Sequence, residues 1–112
     1  MRRRAEALKA KRAAPLFAAL GDEARLRIVS RLCEDGPSSI ARLTEGSRIT
    51  RQAITKHLRV MEDAGLVRAE KRGRETIFEL EPARLEAARR ALDSISREWD
   101  HAIERLRKLV ED

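Results

Sequence analysis

With 112 residues, the chain has the length of about one domain, which leaves no room for a catalytic domain beside a regulatory one. Aromatic residues make up 3% of it and Tyr is absent, so the core must consist of Leu, Ile, Val and Ala, which favours a helical fold over a β-sandwich. Charged residues make up 39% and the net charge is +6, a balance that suits a polyanionic partner.

The positive charge is concentrated in two parts of the chain. Residues 1–14 hold six Lys and Arg against one acid, and residues 48–80 hold eight against five. No apolar run has the length of a membrane span and no secretory signal begins the sequence, so we expect a cytoplasmic protein without membrane contact. The single cysteine, Cys33, excludes an intramolecular disulfide and a cysteine-cluster metal site.

Two helices are predicted in the first third of the chain. The first covers about Ala5–Leu20, with Pro15 as a kink or restart and Gly21 as its end. Asp22 is a good N-cap for the second helix, whose apolar residues cover more than one face, as in a helix at the centre of a core. Cys33 lies on this helix, where we expect inert packing; thiol sensing is the alternative.

A helix-turn-helix is predicted at about residues 38–64. Ser38 or Ser39 caps its short first helix, and the second helix begins after the N-cap Thr50 and stops at Gly65. Apolar residues recur on one face of this second helix. The first turns of the other face carry hydrogen-bond donors and no acidic residue. The core-facing residues are Ala53, Ile54, Leu58 and Met61, and the outward-facing ones are Arg51, Gln52, Thr55, Lys56 and Arg59.

A β-hairpin with a basic tip is predicted at about residues 66–80. Partial alternation of apolar and polar residues marks two strands, and Arg72, Gly73 and Arg74 lie between them. Directly after a helix-turn-helix, such a hairpin is a wing, and its arginines can follow the minor groove or the phosphates.

A long last helix is predicted at about residues 82–110, with Pro82 in its first turn. Apolar residues recur along it at intervals of three and four, the pattern of a coiled-coil-like pair. We expect this stripe to meet a second copy of the chain together with the first helix, at about residues 5–20. The predicted dimer interface comprises Leu16, Leu85, Ala88, Leu92, Ile95, Trp99 and Leu106.

These elements describe a single winged helix-turn-helix domain over residues 1–112, mainly α with a small β-hairpin, in the order α-α-α-α-β-β-α. With these elements the sequence resembles the ArsR/SmtB family of bacterial transcriptional repressors. The order and spacing of five segments carry the resemblance, while the terminal helices agree in kind more than in residues. The segments are Leu16–Asp22, Arg25–Val29, Ile49–Met61, Ala64–Val67 and Arg72–Arg74.

The resemblance implies a homodimer, joined through its first and last helices, that binds an inverted-repeat operator near a promoter and represses it until a signal releases it. It also implies that the helix at Thr50–Ala64 enters the major groove of double-stranded DNA. Arg51 can bond a guanine edge and Gln52 an adenine edge, each contact being worth roughly 1–3 kcal/mol of discrimination. Thr55 is assigned to the bases with them, although its hydroxyl also suits a phosphate. The residues assigned to phosphates are Arg48, Thr50, Lys56 and Arg59.

Metal sensing, which is common among the relatives, is a weaker alternative. The thiolate site of the family would need cysteines between residues 38 and 44, and none is present. On the last helix, Asp100, His101 and Glu104 contain a His-x-x-Glu pair, but Ala88 and Arg90 stand where upstream ligands would be needed. We therefore expect no metal, no other cofactor, and an effector that the sequence does not identify.

Two other functions fit the sequence less well than DNA binding. No nucleophile with a base, Gly-rich phosphate loop or carboxylate pair stands out, so an enzyme is not predicted. A winged-helix module that binds protein is the other alternative, but acidic residues on the outward face of the second helix would have favoured it, and that face is basic. His57 lies at the flank of this helix and is expected to be structural.

Overall fold

The computed structural model describes the backbone of residues 2–111 and the side chains of residues 11–111. It is mostly helical with a small antiparallel sheet, which is the winged helix-turn-helix order predicted from the sequence with one strand added. The basic side chains before Lys11 lie outside the described residues. The elements are α1 (Arg2–Leu20), α2 (Glu23–Asp35), β1 (Ser38–Ser39), α3 (Ile40–Thr44), α4 (Arg51–Asp63), β2 (Val67–Arg72), β3 (Glu75–Leu80) and α5 (Pro82–Glu111).

One aliphatic core connects the four helices α1, α2, α3 and α4 with the sheet and with the start of α5. Its members are mostly Leu, Ile, Met and Ala with a single buried Phe, as the composition predicts. The side chains of Leu58, Met61 and Leu66 have no exposed surface, so α4 and the chain that leaves it are fixed against the body. The buried cluster consists of Leu16, Ala19, Ile28, Leu32, Leu43, Ile54, Leu58, Met61, Leu66, Val67, Phe78 and Ala88.

The strand β1 was not predicted. Ser38 pairs with Phe78 and Ser39 with Ile77, so the sheet has three antiparallel strands in the order β1-β3-β2. A two-residue strand shows no alternation, and its partner lies far away in sequence, so nothing local marks it. Ser38 is buried, but its hydroxyl donates to the Gly36 carbonyl at 2.9 Å. The pairing fixes the start of the helix-turn-helix to the wing.

Two expectations for α2 are corrected, and the alternative of a restart at Pro15 is excluded for α1. The helix α1 runs from Arg2 to Leu20 with Pro15 inside it, so it does not restart there. The helix α2 buries only Ile28 and Leu32, so the prediction of a helix buried on several faces was wrong. Cys33 is exposed rather than packed in the core, because it lies beside the buried face of α2 and not on it.

Both ends of α4 are specified by local contacts, as predicted. The Thr50 hydroxyl accepts a hydrogen bond from the Ala53 amide at 3.1 Å, which identifies Thr50 as the N-cap. At the other end, the Gly65 amide donates to the Glu62 carbonyl and the Leu66 amide to the Met61 carbonyl, which is the hydrogen-bond pattern of a Schellman motif. The helix that presents the donors therefore has fixed limits.

Gly65 is expected to be the most sensitive residue of this junction. Its φ is +79°, and an L side chain in this region costs roughly 1–2 kcal/mol. A Cβ atom would also lie 3.1 Å from Nε of the exposed Arg84 side chain, which can move away. In urea denaturation at fixed protein concentration, Gly65→Ala should lower the free energy of unfolding by about 1–2 kcal/mol. Gly65→Asn should lower it less, since Asn tolerates positive φ; equal losses would contradict this explanation.

The last helix, α5, extends well beyond the core. The protein measures 65 × 32 × 20 Å. The helix α5 packs next to α1, and among its described side chains only Ala88, near its start, is buried. Leu16 and Ala88, which the sequence assigns to a dimer interface, are 1% and 5% exposed. They are packed inside the protomer and have almost no surface left for a partner.

Candidate nucleic-acid interface

The outer face of α4 presents four polar side chains to solvent: Arg51, Gln52, Lys56 and Arg59 are all exposed. The opposite face buries Ile54, Leu58 and Met61, so the helix cannot rotate to hide its donors. None of the three cations on the outer face has an ion-pair partner among residues 11–111. The predicted division of α4 into a packed face and a donor face is therefore confirmed.

Two threonines of the predicted contact set are also engaged within the helix. The Thr55 hydroxyl donates to the Arg51 carbonyl at 2.8 Å, so toward DNA it can act only as an acceptor or through its methyl group. That suits a cytosine amino group or a thymine methyl better than a phosphate. The Thr50 hydroxyl accepts from the Ala53 amide, which leaves its proton available to donate to a phosphate.

The wing is a two-strand hairpin with a two-residue turn. Arg72 pairs with Glu75 at its end, so Gly73 and Arg74 form the turn, and the φ of Gly73 is +63°. Glycine at the first turn position is typical of the type II′ hairpin. A cleft of about 120 Å³ lies between the wing and the segment of β1 and α3, and Arg51 of α4 lines it together with Arg74 and Glu75 of the wing. The fold thus brings the start of α4 and the wing tip together.

The arginines of the wing are not equivalent. Arg68 bonds Glu79 at 2.7 Å and lies 3.3 Å from Glu81, and the Glu79 carboxylate raises the pKa of Arg68 above its usual value. Arg72 lies 3.3 Å from Glu70, which offsets its charge. Arg74 has no ion pair among the described side chains, so it is the wing arginine best able to meet a phosphate.

A structural arginine that the sequence did not single out holds the turn of the helix-turn-helix. One terminal nitrogen of Arg31, Nη1, donates to the carbonyls of Leu43 at 3.0 Å and Glu45 at 2.7 Å. These carbonyls lie at the end of α3, where intrahelical partners run out. Arg48, the first predicted phosphate contact, is exposed three residues after Glu45. No periodicity reveals a helical arginine that caps a different helix.

A second cluster connects α2 to the flank of α4. Asp22 caps α2 by accepting from the Arg25 amide at 3.1 Å; this hydrogen bond outweighs desolvation and, with the charges of Arg25 and His57, lowers the pKa of Asp22. Nδ1 of His57 lies 3.5 Å from Nη1 of Arg25 and 4.0 Å from Oδ2 of Asp22. His57 is half-buried and packs at this junction, which supports the structural role expected for it.

The remaining sequence candidates lie on α5, away from α4. Asp100, His101 and Glu104 are exposed there, and among the described residues no three His, Cys, Asp or Glu side chains are grouped as metal ligands would be. Leu92, Ile95, Trp99 and Leu106 are exposed as well, and Leu85 is half-buried. Within residues 2–111, no helix combines the length and apolar content needed to cross a membrane.

A helix-turn-helix whose second helix exposes donors beside a basic wing tip defines a winged-helix DNA-binding protein. A family model described as a helix-turn-helix domain matches residues 20–70. The chain is 33% identical over 93 residues to the HTH-type transcriptional regulator Rv2034 of Mycobacterium tuberculosis, which covers 83% of both proteins. It is 44% identical over 75 residues to the uncharacterized HTH-type transcriptional regulator YuzN of Bacillus subtilis, which covers 60% of this chain and 82% of YuzN.

Solved structures lead to the same family. The fold superposes on an ArsR-like transcriptional regulator from Rhodococcus sp. RHA1 with a TM-score of 0.71 and 34% identity, over 88% of this chain and 92% of that one. The chain belongs to the ArsR family of transcriptional regulators. It is a DNA-binding regulator and, as a member of this class, not an enzyme.

Proposed function

We propose that the protein is a homodimeric repressor that binds an inverted-repeat operator in double-stranded DNA. The observation that carries the proposal is the set of exposed cations on α4, none of which has an ion-pair partner among residues 11–111, with Arg51 lining the same cleft as Arg74 of the wing. An α-helix fits the major groove, and a wing beside it can reach the adjacent backbone. Arg51, Gln52 and Thr55 are proposed to contact bases, and Arg48, Thr50, Lys56 and Arg59 phosphates.

The dimer is proposed to form along α5. Large apolar side chains remain exposed there after the protomer has folded, at intervals of three and four residues, with Trp99 66% exposed and Leu106 61% exposed. A monomer rarely leaves such a contiguous apolar stripe in water. Pairing two copies through α5 would set two α4 helices in fixed relation, so that two half-sites are read together. The cytoplasm is the proposed location, since a bacterial repressor must reach the chromosome.

The direct test is to select bound fragments from the promoter regions around the gene itself and to measure affinity for the selected site in a salt series. Four cations in each of two copies, Arg48, Lys56, Arg59 and Arg74, would neutralise about eight phosphates, and the slope of log affinity against log salt should be about −7. Arg74→Gln should make the slope less negative by about 2, one contact in each copy.

Arg97→Gln on α5 removes the same charge far from α4 and serves as the control. It should leave the salt slope unchanged. A flat salt dependence of the parent protein, or equal changes of slope in both variants, would contradict the proposed interface.

A further inference from the structure

A cavity of about 660 Å³ lies between α2 and the turn that leads from α3 into α4. Its size is that of a small-molecule site, since ligand pockets usually measure about 300–1,000 Å³. The cavity shares no lining residue with the cleft at the wing. No function described above uses it.

The lining of the cavity combines an apolar wall with a cationic edge. Ile28, Leu43, Ile49 and Ile54 contribute the apolar side chains. At the edge, Arg27 is already paired with Glu23 at 2.7 Å. The charge of Arg31 is partly offset by Asp35, so Arg48 is the lining cation without an ion pair among the described side chains, and Glu34 is the remaining acid. A ligand that suits this lining has an apolar body and one negative charge.

Arg31 has one donor nitrogen left for a carboxylate. Its Nη1 is used by the carbonyls at the end of α3, and its Nε lies 3.8 Å from Oδ2 of Asp35. Within residues 11–111, Nη2 has no hydrogen-bond partner, and the side chain is 33% exposed. Nη2 can therefore donate to a ligand in the cavity, and its hydrogen bond to a carboxylate is stronger than one to a neutral acceptor because both groups are charged.

We propose that this cavity binds a small monocarboxylate with an apolar body, and that this ligand is the effector that releases the protein from DNA. A carboxylate held by Arg31 and Arg48 would compete with a DNA phosphate for Arg48. It would also place a negative charge beside the carbonyls of Leu43 and Glu45, which Arg31 holds through Nη1. Binding in the cavity stands independently, whereas its consequence for DNA rests on the proposed function.

The probe is 2-naphthoate, and the uncharged 2-naphthamide of the same shape is the control. Amide signals of the cavity lining, such as those of Ser30, Leu43 and Ser47, are followed by NMR as each compound is added to the whole protein without DNA. We expect 2-naphthoate to shift these signals and 2-naphthamide to bind far more weakly. In parallel, saturating 2-naphthoate should weaken operator binding between about fivefold and 150-fold, the usual range of coupling between two sites.

Two variants separate the cavity from other binding surfaces. Ser30→Trp fills the cavity from α2 and leaves every proposed DNA contact in place, so it should abolish the response to 2-naphthoate at unchanged operator affinity. Glu34→Gln removes the opposing charge at the exposed edge and should tighten 2-naphthoate binding. Since Glu34 is exposed, this variant keeps the proposal testable if Ser30→Trp does not fold.

The outcomes distinguish the two proposals. Three results would overturn the carboxylate site: equal binding of both compounds, shifts confined to α5, or a Glu34→Gln variant that binds 2-naphthoate no more tightly than the parent protein. Binding in the cavity without any effect on operator affinity would overturn the effector role alone. A protein that binds 2-naphthoate in the cavity but no promoter DNA would refute the proposed function and leave the site standing.

Discussion

Replacing Trp99 with Glu is expected to convert the protein to monomers and to lower operator affinity by about 10²- to 10⁴-fold, the gain that linking two binding modules provides. Trp99 lies at the middle of the exposed stripe of α5. A carboxylate at an a/d position of a helix pair would be buried without a partner, which neither copy can compensate. Each protomer would still fold, because Trp99 takes no part in the core.

The measurement is sedimentation at low protein concentration, together with operator binding. Arg97→Gln is the matched control: it also lowers the net charge by one, and Arg97 lies on α5 two residues away but outside the stripe. It should remain dimeric with unchanged affinity. If Trp99→Glu sedimented as a dimer, the α5 stripe would not be the interface. If it were monomeric yet bound the operator as tightly as the parent protein, half-sites would not be read together.

The helices were predictable because their limits are encoded locally. The side chains of Asp22 and Thr50 each accept a hydrogen bond from the amide three residues later. The helix α4 ends at Asp63 and is followed by the Schellman motif at Gly65. The wing was predictable for the same reason, since Arg72, Gly73 and Arg74 separate two segments that alternate in part. The structure adds Arg72 to β2, which leaves Gly73 and Arg74 as the turn. Each of these features needs only a few neighbouring residues, so the sequence displays them directly.

What the sequence hid depends on residues far apart in the chain. The strand at Ser38 exists only through its pairing with Phe78. The exposure of Cys33 follows from which side of α2 the other helices cover, and apolar composition alone suggested the opposite. Arg31 reads as an ordinary charged residue until its bonds to the end of α3 are seen. Packing decides these features, and local pattern does not encode them.

For the candidate contacts on α4, some features follow from the sequence and others only from the fold. That Arg51, Lys56 and Arg59 face outward follows from helical spacing alone. That Arg51 shares a cleft with Arg74 of the wing follows only from the folded hairpin, and it bears on what Arg51 does. An arginine beside a second cation at the edge of the groove can bond a phosphate as well as a base, so its assignment to bases needs a direct test.

Arg51→Ala is expected to relax sequence preference, whereas Lys56→Ala should weaken binding to all DNA alike. A bidentate contact from Arg51 to a guanine would contribute roughly 1–3 kcal/mol at each half-site, which operator DNA loses and random DNA does not. Gln52→Ala should behave like Arg51→Ala at an adenine. Lys56 contributes a phosphate contact, so its loss should also make the salt slope less negative by about 1 per copy.

These differences are measured by titrating each variant with operator and with random DNA over a salt series. Lys108→Ala, which removes the same charge with the same substitution near the end of α5, is the control for Lys56→Ala and should leave both affinities unchanged. Equal losses on operator and random DNA in Arg51→Ala would show that Arg51 acts with Arg74 on the phosphates. Sequence preference would then have to come from Gln52 and Thr55. The acceptor and the methyl group that remain available on Thr55 can still distinguish base pairs.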